Sequence, residues 1–358
     1  MGVLSRNREY TPIGLDIENG AICAVQFKRT RQGLRVHSTA KSLAATTESS
    51  RNPVEELRAV MHDTDFVGRD VVSAVSNTET DVRPIQLPAE IDSDRHPDFW
   101  DAVRMEASSC LLYTPEEAVI DYLPLHDRSD GGMQILLIAA RKECVNRHLA
   151  LLRAAGLRSV HLDVGGCAAA RLVGRKNESV AIVDYGPECT SITMARGPQL
   201  LFSRAVRTGH SALTAAVTKG LGIDEHDAVH MLRTIGLRSE SRSTTWMQSV
   251  EQDGRMSRDD LASTIFDTCY EVLDAFSGEI RRSLEYFSAQ RQDFAPEKVV
   301  LAGALLPLNI EQCLSSRLPL PIELADSLAT FADGNVERGH RDPAYVVAAG
   351  LAMRGEAA

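Results

Sequence analysis

Ile13-Gly14-Leu15-Asp16-Ile17-Glu18-Asn19-Gly20-Ala21-Ile22-Cys23-Ala24-Val25-Gln26-Phe27 is the stretch whose reading decides the fold. Residues 13–17 read as a short β-strand, 18–21 as a turn and 22–27 as a second strand. Asn-Gly between two apolar runs is a strong hairpin signal, because both residues tolerate the positive φ of a two-residue turn. A unit of the same layout returns in the second half. Val180-Ala181-Ile182-Val183-Asp184 is a strand, 185–189 a loop and 190–195 a strand, and Gly197-Pro198 turns into a third strand, 199–206. Each unit sets one aspartate, Asp16 or Asp184, near the end of a buried strand just before a turn. Two hairpin-led units in one chain imply an internally duplicated α/β fold.

Between the two units lies a segment with its own pattern. Residues 70–75 and 82–87 read as strands, the second stopped by Pro88. Residues 98–112 place Phe99, Val103, Met105, Ala107 and Leu111 as the apolar positions of an amphipathic helix. Residues 118–123 and 133–140 read as strands, and 142–155 as a helix closed by Gly156. Beyond the second unit, 238–255 is polar and Ser-rich. Ser257 and Asp260 then make a capping-box-like start. From there Leu261, Ile265, Phe266, Cys269, Val272, Leu273, Phe276, Ile280, Leu284 and Phe287 share one face of a helix roughly 45 Å long at about 1.5 Å per residue. That stripe reads as core rather than as a partner groove. A last strand, 298–301, and a closing helix, 344–353, complete the chain.

Composition bounds the function. At 358 residues the chain exceeds one ordinary core and should divide into compact units. Hydrophobic content of 44% and charged content of 25% are those of a globular protein. A net charge of −10 with interspersed signs argues against nucleic acid as the partner. The seven cysteines form no CxxC pair, so reduced thiols in a cytosol are expected rather than a zinc site or a disulfide framework. No run approaches the roughly 20 apolar residues of a membrane helix, and no signal peptide is evident.

Several stretches stand in a telling order: the opening 13–16, Arg83-Pro84-Ile85-Gln86-Leu87-Pro88, Glu116-Glu117-Ala118-Val119-Ile120-Asp121-Tyr122, and Ala155-Gly156-Leu157 with Leu162-Asp163-Val164. Glu279-Ile280-Arg281-Arg282-Ser283-Leu284-Glu285-Tyr286-Phe287, Ala304-Leu305-Leu306-Pro307 and Asp342-Pro343-Ala344-Tyr345 follow. Their order over the whole chain resembles the PilM family of type IV pilus assembly proteins, relatives of FtsA and actin. The resemblance implies a two-lobed actin-like α/β fold, a duplicated ribonuclease H-like ATPase architecture with an inserted small α+β subdomain. It divides the chain into a first lobe (1–80, 157–178, 340–358), the insertion (81–156), a second lobe (179–222, 290–339) and a helical subdomain (223–289).

The resemblance also implies a cleft for ATP and Mg²⁺. Asp16 and Asp184 take the acidic roles that hold Mg²⁺ largely through water, a chemistry that needs only one or two carboxylates. Asn19 and Gly20 belong to the first phosphate loop, Gly186 and Thr190 to the second, Gly209 to the ribose pocket and Gly303 to the adenosine loop. The match is degenerate. Glu18 stands where the family expects glycine, and at about 4 Å and a dielectric of about 20 its charge repels a phosphate charge by on the order of 4 kcal/mol. Cys23 stands where lysine is common. The adenosine loop is reduced to Leu301-Ala302-Gly303, and Ala228-Val229-His230-Met231-Leu232-Arg233 lacks the expected acid and lysine. Asp163 reads either as a water-positioning group or as a helix N-cap.

The expected function is therefore a cytoplasmic scaffold, held at the inner membrane by partners. The resemblance names them as a PilN-like single-pass protein, bound by its short cytoplasmic tail, and other platform proteins. No efficient catalysis is expected. The competing readings are an ATP-state switch or ATPase, a polymer-former with a membrane-anchoring helix, and the actin-like component of a type II secretion system.

Overall fold

Two five-stranded sheets with the same connectivity dominate the molecule. The computed structural model describes residues 9–18, 21–43, 52–125, 133–176, 178–238, 257–291, 294–331 and 342–356. In the first sheet, β1 (Ile13–Glu18), β2 (Ala21–Thr30) and β3 (Gly33–Leu43) form an antiparallel meander. On the other side of β1, β4 (Asp70–Val75) and β8 (Arg158–Val164) continue the sheet in parallel. In the second sheet, β9 (Ser179–Tyr185), β10 (Thr190–Arg196) and β11 (Gln199–Val206) form the meander, and β12 (Lys298–Ala302) and β13 (Ile322–Leu324) the parallel side. The orders are β3-β2-β1-β4-β8 and β11-β10-β9-β12-β13. The duplication inferred from two hairpins is thus realised strand for strand. Residues 239–255 of the polar stretch lie outside the described residues.

β1 and β9 are central strands and read as continuous apolar runs because both faces are covered. Ile13 and Leu15 are fully buried, as are Val180, Ala181, Ile182 and Val183. The helices between the sheets are built from small residues. α4 (Gly165–Val173) and α9 (Val346–Ala352) bury nearly every position, including Ala168, Ala169, Ala348 and Ala349. α9 lies on β1, and α4 reaches β10 and β11. A Cβ on Gly166 would meet the Ser203 and Thr193 hydroxyls at 3.1 Å. Small side chains let these backbones approach both sheets, so α4 and α9 join the two halves.

The third sheet, β5 (Thr80–Gln86), β7 (Gln134–Arg141) and β6 (Ala118–Pro124), is antiparallel in the order β5-β7-β6. α2 (Phe99–Cys110) covers one face with Phe99, Ala102, Val103 and Ala107. Met105 does not belong to that stripe: it is 60% exposed. Two residues beyond Val103 it points about 200° away around the helix. The opposite face of the sheet joins the second sheet's core through Leu136, with Val82 packed beside it. α3 (Lys142–Ala154) ends at Ala155, and Gly156 takes φ 80°, the left-handed stop its sequence announced.

The long apolar stripe is core. α7 (Arg258–Gln290) runs 33 residues, about 50 Å at about 1.5 Å per residue. Ser257 Oγ accepts from the Asp260 amide at its start. Ile265, Cys269, Leu273, Phe276, Ile280, Leu284 and Phe287 pack into one cluster with α5 (His210–Leu221), α6 (Glu225–Thr234) and the second sheet. Among the described residues no helix is long and apolar enough to cross a membrane.

Candidate functional site

β1 pairs in parallel with β4, and β9 with β12, so each central strand ends at the open edge of its sheet. Ligand sites of parallel sheets form just outside such carboxyl ends. Asp16 pairs across the ladder with Cys23, and Asp184 with Ser191 on one side and Ala302 on the other. Asp16, Glu18, Cys23, Asp184, Gly186 and Gly303 line one small open cavity of about 20 Å³, room for little more than a single water.

The cavity is strongly acidic. Burial, and then the charge of Asp184, pushes the Asp16 carboxyl well above the usual carboxylate range. Burial does the same to Asp184. Glu18 is raised as well, by burial first and then by Asp16 and Asp184, with an opposing hydrogen bond from the Asn77 side chain. Such a cluster is costly to ionise in full, because like charges in a weakly screened site repel. Burial also raises the Cys23 thiol. Lys41 pairs with Cys23 across β2 and β3, but its Nζ is held by Asp342 at 2.8 Å.

The second loop is closed on itself. The Gly186 amide donates to the Cys189 carbonyl at 3.0 Å, and the His210 and Ser211 amides donate to the Gly186 and Pro187 carbonyls at 3.0 and 2.9 Å. The first turn of α5 therefore caps the loop from behind. Gly209 sits in that packing, where a Cβ would stand 2.7 Å from the Gly186 carbonyl oxygen. Thr190 is fully buried, and its hydroxyl donates to the Thr208 carbonyl at 2.6 Å. Of the residues expected at the site, Asp16, Asp184, Gly186 and Gly303 meet at the cavity, while Thr190 and Gly209 support its wall from behind. Asn19 and Gly20 lie outside the described residues.

Gly303 has a backbone reason to be glycine. Its φ is 128°, and a Cβ there would overlap the Tyr185 carbonyl oxygen and stand 2.9 Å from its carbon. Asp163 is neither the N-cap of α4, a position held by Val164, nor a free group. Its carboxylate pairs with Arg171 at 3.0 Å and Arg354 at 2.7 Å while accepting from the Val164 amide. Asn77 was not anticipated. Its position was legible in principle, since it follows β4, whose parallel pairing with β1 brings both carboxyl ends to one edge.

The architecture recurs among solved proteins. One chain of a PilM–PilN type IV pilus biogenesis complex is 26% identical, with a TM-score of 0.76 over 97% of this chain and 99% of its own length. A family model described as type IV pilus assembly protein PilM matches residues 14–244, well over half the chain. The chain belongs to the PilM family. EutJ, an ethanolamine utilization protein from Carboxydothermus hydrogenoformans, has the same fold at 13% identity, with a TM-score of 0.54 over 97% of this chain and 90% of its own. The fold is the actin-like one, two ribonuclease H-like sheets with an added small sheet.

An actin-like cleft implies Mg²⁺ and a nucleotide, and the residues here fit one half of that pair. Asp16 and Asp184 offer carboxylate oxygens to a hard cation that keeps its waters. Among the described residues no three His, Cys, Asp or Glu side chains form a group able to hold a metal ion, so such a cation would depend on that water. The phosphate half does not fit. A Cβ on Gly186 would overlap Glu18 Oε2 and stand 3.3 Å from the carboxyl carbon. The Glu18 carboxyl thus lies directly against the Gly186 backbone, and the Gly186 amide is spent on the Cys189 carbonyl.

Proposed function

We propose that the chain is a cytoplasmic scaffold of a type IV pilus, or related, inner-membrane assembly platform. Its partner is the short cytoplasmic tail of a PilN-like single-pass membrane protein, and nucleotide binding is weak or lost. The carrying observation is the near full-length correspondence with a chain solved in a PilM–PilN complex. A tail laid along a groove or added to a sheet edge is an ordinary mode of recognition, and residues 83–121 are the region to search for it. No reaction is assigned, because the cavity joins three carboxyl groups to a turn whose Gly186 amide is already paired. Attachment to the inner face of the membrane would come through the partner.

The Asp16–Asp184 pair at one cavity favours a second reading, in which bound ATP biases platform assembly without efficient hydrolysis. A pull-down from solubilised membranes tests the scaffold. It should recover a single-pass protein with a short cytoplasmic tail, and a synthetic peptide of that tail should compete it off. Recovery of no such protein would remove the scaffold reading. The switch reading requires Mg-ATP to change the amount recovered.

A further inference from the structure

Glu18 carries the inference furthest, because it bridges the two sheets at the place where the cleft would hold phosphate. It leaves the end of β1 in the first sheet and rests on Gly186, just past β9 in the second. Beside Asp16 and Asp184 it also meets Asn77, whose side chain hydrogen-bonds to it. Asn77 stands between β4 and β5, in the connection from the first sheet to the third. The same side chain is wedged against the start of α4, where a Cβ on Gly165 would stand 3.0 Å from Asn77 Oδ1. Glu18 is thus tied to both main sheets and, through Asn77, to the helix that joins them.

We propose that Glu18 is an autoinhibitory plug: its carboxyl takes the phosphate seat beside Gly186 and, held by Asn77, keeps the cleft closed without a nucleotide. The reasons are steric and local. An anionic phosphate reaching the Gly186 turn must displace the carboxyl, because both require the same space next to a residue without a side chain. Asn77 holds the plug through its side-chain hydrogen bond. The inference rests on the reading of this cavity as a nucleotide cleft with a lost phosphate half. It adds that the loss is an occupancy by the chain itself, which removing one side chain reverses.

The experiment is calorimetric titration of Mg-ATP into the full chain, paired with melting curves, for wild type, Glu18→Gly and Asn77→Ala. Wild type should bind at least tenfold more weakly than Glu18→Gly. Glu18→Gly should melt lower than wild type alone and recover with Mg-ATP. Asn77→Ala, which leaves the plug in place but unheld, should fall between them and covers the case in which Glu18→Gly folds poorly. Micromolar binding by wild type, or equal affinity of the three proteins, would overturn the plug. Tail capture from membranes is measured on wild type separately, so a failed scaffold and a failed plug are told apart.

Discussion

Gly350 in α9 meets Ala168 in α4 backbone to backbone. A Cβ at Gly350 would overlap the Ala168 carbonyl oxygen and stand 2.5 Å from its carbon. These two helices join the sheets, so forcing them apart disturbs both halves at once. Gly350→Ala should therefore destabilise the fold by about 1–3 kcal/mol, the usual cost of overpacking a tight contact. Gly278 in α7 is the contrasting case. Its nearest neighbour is the flexible Arg282 guanidinium at 3.3 Å, and alanine favours a helix interior by up to about 1 kcal/mol. Chemical denaturation of both variants checks the pair. A Gly350→Ala protein as stable as wild type would mean that the helices separate freely.

Asp163 is held by two arginines and is 5% exposed at its side chain, whereas Arg171 and Arg354 are 22% and 36% exposed. Asp163→Asn leaves both guanidinium groups without their carboxylate. Removing one partner of a fully buried pair costs about 3–5 kcal/mol, but the arginines here reach water, so about 2 kcal/mol is expected. Denaturant midpoints measure it directly. Full stability of Asp163→Asn would show that the three-way ion pair is dispensable.

The central architecture was legible because it rests on local signals. The Asn-Gly hairpin, the buried aspartate-ended strands and the capped α7 each announce themselves within a few residues. β3 and α1 (Pro53–His62) went unread for different reasons. β3 is an edge strand whose residues are mostly half-buried, so it shows no strong apolar run. α1 did carry a signal: Asn52 caps it and Pro53 opens its first turn. The acidic pair at the cavity was legible through resemblance, since each aspartate ends an equivalent strand. That Thr190 and Gly209 would support the loop from behind was not, because it depends on which carbonyls the first turn of α5 meets in space. Met105 misled because an apolar side chain within a helical window need not lie on its buried face.

His210, at the first turn of α5, is 4% exposed, and neither ring nitrogen has a partner in hydrogen-bonding geometry. Burial lowers its pKa from 6.5 to about 4, with the Leu305 backbone opposing weakly. The unfolded chain takes up a proton as pH falls through 6.5, while the folded protein waits until about 4. Stability from the neutral ring is full above 6.5 and lost as pH falls, by on the order of 3 kcal/mol. His210→Phe keeps the ring and removes the nitrogens. It should match or exceed wild type by about 1 kcal/mol at neutral pH and should lose less stability on acidification. Melting curves between pH 7 and 4, read as variant minus wild type, give the difference. Parallel curves would show that His210 protonates freely in the fold.

The carboxyls of the cavity act in the opposite direction. Asp184 ionises at 3.8 when unperturbed, and burial raises it in the fold. The folded protein therefore keeps protons that the unfolded chain has released. Its contribution to stability is full below 3.8 and declines as pH rises through the raised folded value. Asp184→Asn removes one buried charge and its repulsion of Asp16, so the variant should be more stable than wild type at pH 8 and converge with it only as pH falls to about 3.8. Mg²⁺ distinguishes charge relief from general packing. If the two aspartates hold a hydrated cation, Mg²⁺ at pH 8 raises the melting temperature of wild type and leaves Asp184→Asn unchanged. An Asp184→Asn protein less stable than wild type at pH 8 would mean that the carboxylate is satisfied where it stands.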